Sequence, residues 1–134
     1  MTASRTIRVV AALIRDDAGR VLVVRKRGTS AFMQPGGKLD AGEDDIAALS
    51  REVSEELGCL VVPASVRALG AFDAMAANEP GFRVAARLYH VDVTGDIAPS
   101  REIDEAIWID PASPPDIDLA PLTRDHVLPL AAQA

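Results

Sequence analysis

The stretch that decides the fold covers residues 36–60 and reads GGKLDAGEDDIAALSREVSEELGCL. Its second half has apolar residues at spacings of three and four, which is the pattern of a helix with one face in a core. That row is Ile46, Leu49, Val53 and Leu57. Gly58 follows it, and a glycine there can end a helix in the left-handed conformation. The stretch therefore predicts a glycine turn, an acidic loop and one helix.

Three glutamates, Glu52, Glu55 and Glu56, lie on another side of this helix near its end. Their side chains are neighbours, so the charges repel one another and also meet the negative end of the helix dipole, where each acid costs about 0.3–1 kcal/mol. A solvated acidic face is one interpretation. The other is a bound hard cation such as Mg²⁺, which prefers carboxylate oxygens, bridges to substrate phosphates and would make the cluster favourable.

The whole stretch resembles the Nudix box, in which a Gly, five residues, a Glu and seven residues precede Arg-Glu-aliphatic-x-Glu-Glu-x-Gly-aliphatic. Only the last position departs from the pattern: there Cys59, which behaves as a small buried hydrophobe, replaces the aliphatic residue. The matching residues are Gly37, Glu43, Arg51, Glu52, Val53, Glu55, Glu56 and Gly58. The resemblance implies an α/β protein with the Nudix fold: an α/β/α sandwich with a mixed β-sheet and the box loop-helix, as one domain over residues 1–134.

The resemblance also implies a set of site residues. The ligands it implies for Mg²⁺, or for Mn²⁺ in its place, are the carbonyl of Gly36 and the carboxylates of Glu52, Glu55, Glu56 and Glu102. Glu105 is second to Glu102 as the loop glutamate. Arg51 would orient the glutamates through a salt bridge to Glu43 without touching substrate. The base that takes a proton from the attacking water would be Glu52 or Glu102.

Three adjacent cations, Arg25, Lys26 and Arg27, end a predicted strand over residues 21–24. Because strand side chains alternate, Arg25 and Arg27 share one face and Lys26 takes the other. An ordinary charged turn is one interpretation. Phosphate binding by Lys26 and Arg27, beside the acidic cluster, is the other.

Further strands are predicted where apolar residues are β-branched or alternate with polar ones. They cover residues 7–14, which should pair with residues 21–24 as a hairpin, and residues 66–72 and 82–93. Residues 102–110 resemble the Nudix segment in which a loop glutamate precedes a strand that carries a tryptophan. Trp108 of the last strand is expected in the core. Asp40 or Asp44 should cap the box helix. A final helix over residues 122–130 should bend or end near Pro129.

Size and charge limit the alternatives. The chain has 134 residues, of which 49% are hydrophobic, which suits one globular domain with an aliphatic core. Its net charge of −6 argues against broad binding to nucleic acid backbones. No apolar run long enough for a membrane span and no signal region occur, so a cytoplasmic protein without a membrane partner is expected. Nudix proteins are often dimers, which leaves a homodimer open.

By resemblance, the expected activity is Mg²⁺-dependent hydrolysis of a nucleoside diphosphate linked to another group X, and the expected partner is that small molecule. Some ADP-ribose-cleaving members carry a proline where Met75 stands, and some diadenosine-polyphosphate-cleaving members a tyrosine where Ala77 stands. A MutT-like (d)NTP pyrophosphohydrolase that releases a nucleoside monophosphate and pyrophosphate is therefore favoured. The alternatives are an ADP-ribose or nucleotide-sugar hydrolase and a dinucleoside-polyphosphate hydrolase. A non-catalytic nucleotide sensor is disfavoured, because such modules usually lose box carboxylates and this chain keeps every one.

Overall fold

The computed structural model describes residues 5–133. The strands of this part are β1 (Thr6–Leu13), β2 (Val21–Lys26), β3 (Phe32–Met33), β4 (Gly36–Gly37), β5 (Leu60–Val61), β6 (Arg67–Met75), β7 (Arg83–His90), β8 (Val93–Thr94) and β9 (Ile103–Ile109). The helices are α1 (Asp45–Leu57) and α2 (Leu128–Ala132), with a short 3₁₀ turn at Pro63–Ser65 and a π-helical segment at Thr123–Val127. Neither α1 nor α2, nor any other helix within residues 5–133, is long and apolar enough to cross a membrane.

The strands form two main sheets. The first has the order β4-β1-β7-β6, and it is mixed because β1 and β7 run parallel while the other pairs are antiparallel. The second is antiparallel, with the order β3-β2-β9, and β5 pairs separately with β8. The mixed sheet expected of a Nudix fold is therefore confirmed.

The two long apolar strands are buried on both faces, which explains why their sequences read as continuous apolar runs. In β1, Val10 and Ala12 belong to the core cluster that contains the apolar face of α1. Ala11 and Leu13 belong to the opposite cluster, which contains Leu128 and Ala131 of α2. Helices therefore cover both sides of the strands, as the α/β/α sandwich requires.

The predicted hairpin between residues 7–14 and 21–24 is wrong. Both edges of β1 are taken, by β4 and by β7, and β2 pairs instead with β3 and β9. Only the connection keeps hairpin character: Arg15 bridges Val21, and the Leu22 N–H donates to the Ile14 carbonyl over 3.0 Å. The chain therefore uses this tight turn to pass from one sheet to the next.

Two helix details also differ from prediction. Ile46 is 37% exposed, because it lies in the first turn of α1, and the buried row of α1 is Ala48, Leu49, Val53 and Leu57 together with Glu56. The last helix does not end at Pro129. Helical backbone begins at residues 121–122, passes through the π-helical segment and continues as α2 to Ala132, so Pro129 lies inside a continuous helical stretch.

Candidate active site

Helix α1 has capped ends that fix its position along the chain. The Asp44 side chain caps the N-terminus by accepting from the Ala47 N–H at 2.8 Å, which resolves the choice between Asp40 and Asp44. Gly58 ends the helix with φ 69°, and its N–H donates to the Ser54 carbonyl, as predicted. Asp45 then ties the first turn to β7, where it accepts from Arg87 and from the Tyr89 hydroxyl at 2.5 Å. These contacts set where the glutamates of the last two turns project.

Arg51 is the centre of a carboxylate network. Its Nε and Nη2 donate to the two oxygens of Glu43, at 2.8 and 2.9 Å, so the predicted salt bridge is present. Its Nη1 donates to Glu52 at 2.5 Å and to Glu55 at 3.1 Å. Hydrogen bonding to Arg51 lowers the pKa of Glu43 to about 2. Arg51 therefore binds two of the three box glutamates of α1 as well as the loop glutamate that precedes the helix.

Glu56 is the buried member of the cluster. It is 4% exposed, and its Oε1 accepts the Gly36 N–H at 3.2 Å. Burial, followed by the charge of neighbouring Glu52, raises the pKa of Glu56 to about 8. A buried carboxylate beside a second carboxylate is unfavourable unless a proton or a cation joins it.

The donor set suits a hard divalent cation, since it consists of carboxylates and a backbone carbonyl. In this conformation, however, no three His, Cys, Asp or Glu side chains within residues 5–133 converge closely enough to hold an ion. The reason is visible in the contacts: Arg51 holds Glu52 and Glu55, and Glu102 lies 3.7 Å from Lys26 Nζ. The ligand set of Gly36, Glu52, Glu55, Glu56 and Glu102 thus stays a prediction that requires side-chain rotation.

Two cavities meet at the glutamates. The outer cavity, about 440 Å³, is lined by Arg27, Glu52, Glu55, Glu56, Arg101 and Glu102. The inner cavity, about 410 Å³ and more enclosed, shares Glu52, Glu56 and Glu102 with it and adds Lys26 and Lys38. The lining of the inner cavity also includes apolar side chains, which we call the apolar recess: Ile7, Val9, Met33, Val84 and Leu122. The arrangement combines charged side chains with an apolar recess.

The predicted cations reach this site from the end of β2. A register shift between Arg25 and Lys26 lets β9 carry one extra residue, and such bulges re-aim side chains next to functional sites. Lys26 lines the inner cavity and Arg27 the outer one, whereas Arg25 turns away to bind Glu105. The placement agrees with the phosphate-binding interpretation of Lys26 and Arg27, whose role stays a prediction. It also leaves Glu102, and not Glu105, at the cavities.

Sequence reasoning missed Arg101. Among residues 5–133 it is the non-glycine residue with positive φ, at 60°, a conformation that costs about 1–2 kcal/mol for a residue with a Cβ atom. Its Nη2 lies 3.8 Å from Glu55 Oε2, and its side chain is 69% exposed. An exposed ion pair contributes about 0–1 kcal/mol, so this contact does not offset the backbone cost. The sequence did contain a signal: Arg101 directly precedes Glu102, the glutamate that was predicted to reach the site from this loop.

Several residues that line the inner cavity lie outside the Nudix box. Asn78 and Glu79 come from the loop between β6 and β7, and buried Thr123 donates to Gln34 at 3.2 Å beside the apolar recess. No local pattern marks them, because they come together only through the sheet and the last helix. Met75 and Ala77, the two positions where some relatives carry proline or tyrosine, line this cavity as well. Their location supports the use of those positions as markers of specificity.

Fold and site together define the class: an α/β/α sandwich protein with an acidic, arginine-rimmed cavity that opens into an apolar recess. A family model described as the NUDIX domain matches residues 5–130. The chain belongs to the NUDIX family.

Similar proteins agree with that assignment. The chain is 36% identical over 66 residues to the 8-oxo-dGTP diphosphatase of Haemophilus influenzae, which is 46% of this chain and 48% of that protein. It is 42% identical over 62 residues to the RNA pyrophosphohydrolase of Halorhodospira halophila, which is 46% of this chain and 33% of that protein. These matches therefore span half or less of the relatives' lengths. A crystal structure of a MutT NUDIX hydrolase from Burkholderia pseudomallei superposes with a TM-score of 0.74 over 97% of this chain and 98% of that one, at 22% identity, which shows the shared fold.

Proposed function

We propose that this chain is a metal-dependent pyrophosphohydrolase that cleaves (d)NTPs to a nucleoside monophosphate and pyrophosphate. One observation carries the proposal: glutamates from α1 and from the loop before β9 line the same cavity as Arg27, next to Lys26. Pyrophosphate-containing substrates carry several negative charges, which such a set can bind when a cation joins the carboxylates. The similarity to proteins named as diphosphatase and pyrophosphohydrolase points to the same reaction.

The residues divide the work as follows. Glu55 and Glu56, with Gly36 and with Glu52 or Glu102, would hold Mg²⁺ or Mn²⁺, which when bound neutralises phosphate charge and activates water. Lys26 and Arg27 would bind phosphate oxygens. Arg51, which donates to Glu52 and Glu55 in this conformation, would orient the two carboxylates as they rotate toward the cation. It is a positioning residue in this proposal and does not contact substrate.

Either Glu52 or Glu102 would accept the proton of the attacking water. Glu52 is restrained: Arg51 donates to it, and its carboxylate packs against Gly37. Glu102 is 62% exposed, with a long contact to Lys26, so it depends on substrate to fix its position. Glu52→Gln and Glu102→Gln would separate the two, since the variant that lacks the base loses turnover, by about 10²–10⁴-fold, but keeps its affinity for Mg²⁺.

The apolar recess supports a nucleoside as the part of the substrate beyond the phosphates, since apolar pockets with a few polar groups suit small molecules. A second candidate substrate is a phosphorylated RNA end, favoured by the similarity to an RNA pyrophosphohydrolase. The net charge of −6 disfavours an extended contact with RNA. A short phosphorylated oligonucleotide should therefore be hydrolysed as well as a long one.

A phosphate-release assay with Mg²⁺ would test the function. The panel contains dNTPs including 8-oxo-dGTP, ADP-ribose, a nucleotide sugar, a dinucleoside polyphosphate and a 5′-triphosphorylated oligonucleotide. We expect the highest kcat/KM for a nucleoside triphosphate. Binding of nucleotides without turnover of any of them would instead identify a sensor. A cytoplasmic location and a homodimer stay predictions.

A further inference from the structure

The loop that precedes β9 is fastened to the C-terminal end of α1. The Ala98 N–H donates to the Leu57 carbonyl at 2.8 Å, and the Ser100 N–H donates to the Glu56 carbonyl at 2.9 Å. The Ser100 hydroxyl donates to the Glu55 carbonyl at 2.5 Å. Carbonyls in the last turn of a helix lack intrahelical partners, so this loop satisfies the groups that α1 leaves open. The loop is thereby held in place relative to the box glutamates.

Arg101 comes directly after this fastening. Its left-handed backbone conformation would suit a glycine better, and its exposed ion pair with Glu55, at 3.8 Å, does not offset the strain. Stability therefore does not explain an arginine here. Strained residues of this kind concentrate where ligands bind. Arg101 lines the outer cavity, beside Glu55 and Glu102.

The arginines near the outer cavity differ in how many carboxylates they bind. Arg51, behind the glutamates, is bonded to Glu43, Glu52 and Glu55. The two arginines that line the cavity are not committed in this way: Arg27 Nη2 donates weakly to the Arg101 carbonyl at 3.5 Å, and its backbone N–H donates to the Glu102 carbonyl at 2.7 Å. Arg27 and Arg101 are therefore joined through the loop backbone, and both line the same cavity.

We propose that Arg101 is a phosphate-binding residue of this site, which exchanges its contact with Glu55 for the oxygens of the outer phosphates of the substrate. A guanidinium fork matches two phosphate oxygens, and Arg27 would bind from the neighbouring position. The same exchange frees Glu55 Oε2 from Arg101, while Glu55 Oε1 keeps its hydrogen bond from Arg51 at 3.1 Å. The inference rests on the proposed function, since it assumes that a diphosphate enters the cavity.

The test compares Arg101→Gly, Arg101→Lys and a control, Arg20→Ala. Glycine removes the guanidinium and the backbone strain together, so the variant should melt at or above the wild-type temperature. Arg20 is a matched control because it is also an exposed arginine in a single ion pair, with Asp16, away from both cavities. Calorimetry would measure binding of inorganic pyrophosphate in Mg²⁺, and steady-state kinetics would measure KM and kcat for a nucleoside triphosphate.

We expect Arg101→Gly to weaken pyrophosphate binding and to raise KM about tenfold, with kcat within about threefold of wild type. Arg101→Lys should have a pyrophosphate affinity and a KM between those of the wild type and Arg101→Gly, because lysine keeps the positive charge and loses the forked guanidinium. If the wild type is active and Arg101→Gly has unchanged pyrophosphate affinity and KM, the inference about Arg101 is overturned and the proposed function is not. A lower melting temperature with unchanged pyrophosphate binding would also overturn the inference, because it indicates a structural role for Arg101.

The inference and the proposed function can fail separately. A wild type that hydrolyses no nucleotide but loses pyrophosphate binding on Arg101→Gly would overturn the function and support the phosphate contact. A wild type that neither binds pyrophosphate nor hydrolyses any nucleotide would overturn both.

Discussion

The two adjacent glycines of the box, Gly36 and Gly37, should respond differently to the same substitution. A Cβ atom on Gly36 would lie 2.1 Å from the Val10 carbonyl oxygen and 2.9 Å from the Ala11 Cα, and φ at Gly36 is 148°. A Cβ atom on Gly37 would instead lie 2.2 Å from Glu52 Oε2 and 2.8 Å from Glu52 Cδ. Gly36 thus meets the backbone of β1, whereas Gly37 meets only the end of a flexible side chain.

The magnitudes follow from these contacts. Gly36→Ala incurs about 1–3 kcal/mol of backbone strain and about 1–3 kcal/mol of overpacking. With a middle value of about 4 kcal/mol, and roughly 3–5 °C per kcal/mol for a chain of this size, the Tm should fall by about 12–20 °C. Gly37→Ala needs no left-handed backbone, so its unfolding free energy should change by less than about 1 kcal/mol. Its turnover should fall about 10²-fold or more, because the Glu52 carboxylate must move.

Thermal melts and steady-state turnover on the two variants would check this. Gly19→Ala is the control for strain alone, since Gly19 has φ 80° and an open surrounding. Its loss of stability should be smaller than that of Gly36→Ala, with turnover unchanged. A Gly36→Ala protein as stable as wild type would contradict the clash argument. A fully active Gly37→Ala protein would show that Glu52 does not need the position it has beside Gly37.

Three further outcomes are expected. Glu55→Gln and Glu56→Gln should each lower turnover by about 10²–10⁴-fold with the fold retained in circular dichroism, whereas Glu105→Gln, which changes a glutamate bonded to Arg25, should not. Millimolar Mg²⁺ should raise the Tm by several degrees, as for any ligand that binds the folded state, and a melt insensitive to Mg²⁺ would count against the ligand set. Hydrogen bonding to Arg87 lowers the pKa of Asp45, so this carboxylate stabilises the fold above its unfolded pKa near 4, and that contribution is lost as pH falls through the folded pKa. Asp45→Asn should therefore be less stable than wild type in urea at pH 7, and the difference in unfolding free energy should shrink as the pH falls below about 4; a difference that does not change with pH would refute the pairing.

The success of the sequence reasoning depended on the range of the interactions involved. The extent of α1, its Gly58 terminus and the Arg51–Glu43 bridge involve residues within about two helical turns of one another, so periodicity and the box pattern predicted them. The hairpin prediction failed because strand pairing is decided by distant segments: β1 has β7 as its parallel neighbour, with Thr6 paired to Arg83 and Leu13 to His90. The apolar pattern of β1 shows only that both faces are buried, and it does not name the neighbour.

The carboxylates and glycines of the Nudix box stand at fixed spacings on one loop and one helix. The reaction class could therefore be predicted from the sequence alone. Which cations lie beside these carboxylates depends on the tertiary structure. Lys26 and Arg27 line the cavities next to a bulge, whereas Arg25 binds Glu105. Arg101 lies on a loop that is hydrogen-bonded to the end of α1. Neighbours on a helix follow from its local repeat and can be identified in the sequence. The cations at the cavities and the apolar recess come from distant segments, which burial and backbone hydrogen bonding across the sheets bring together.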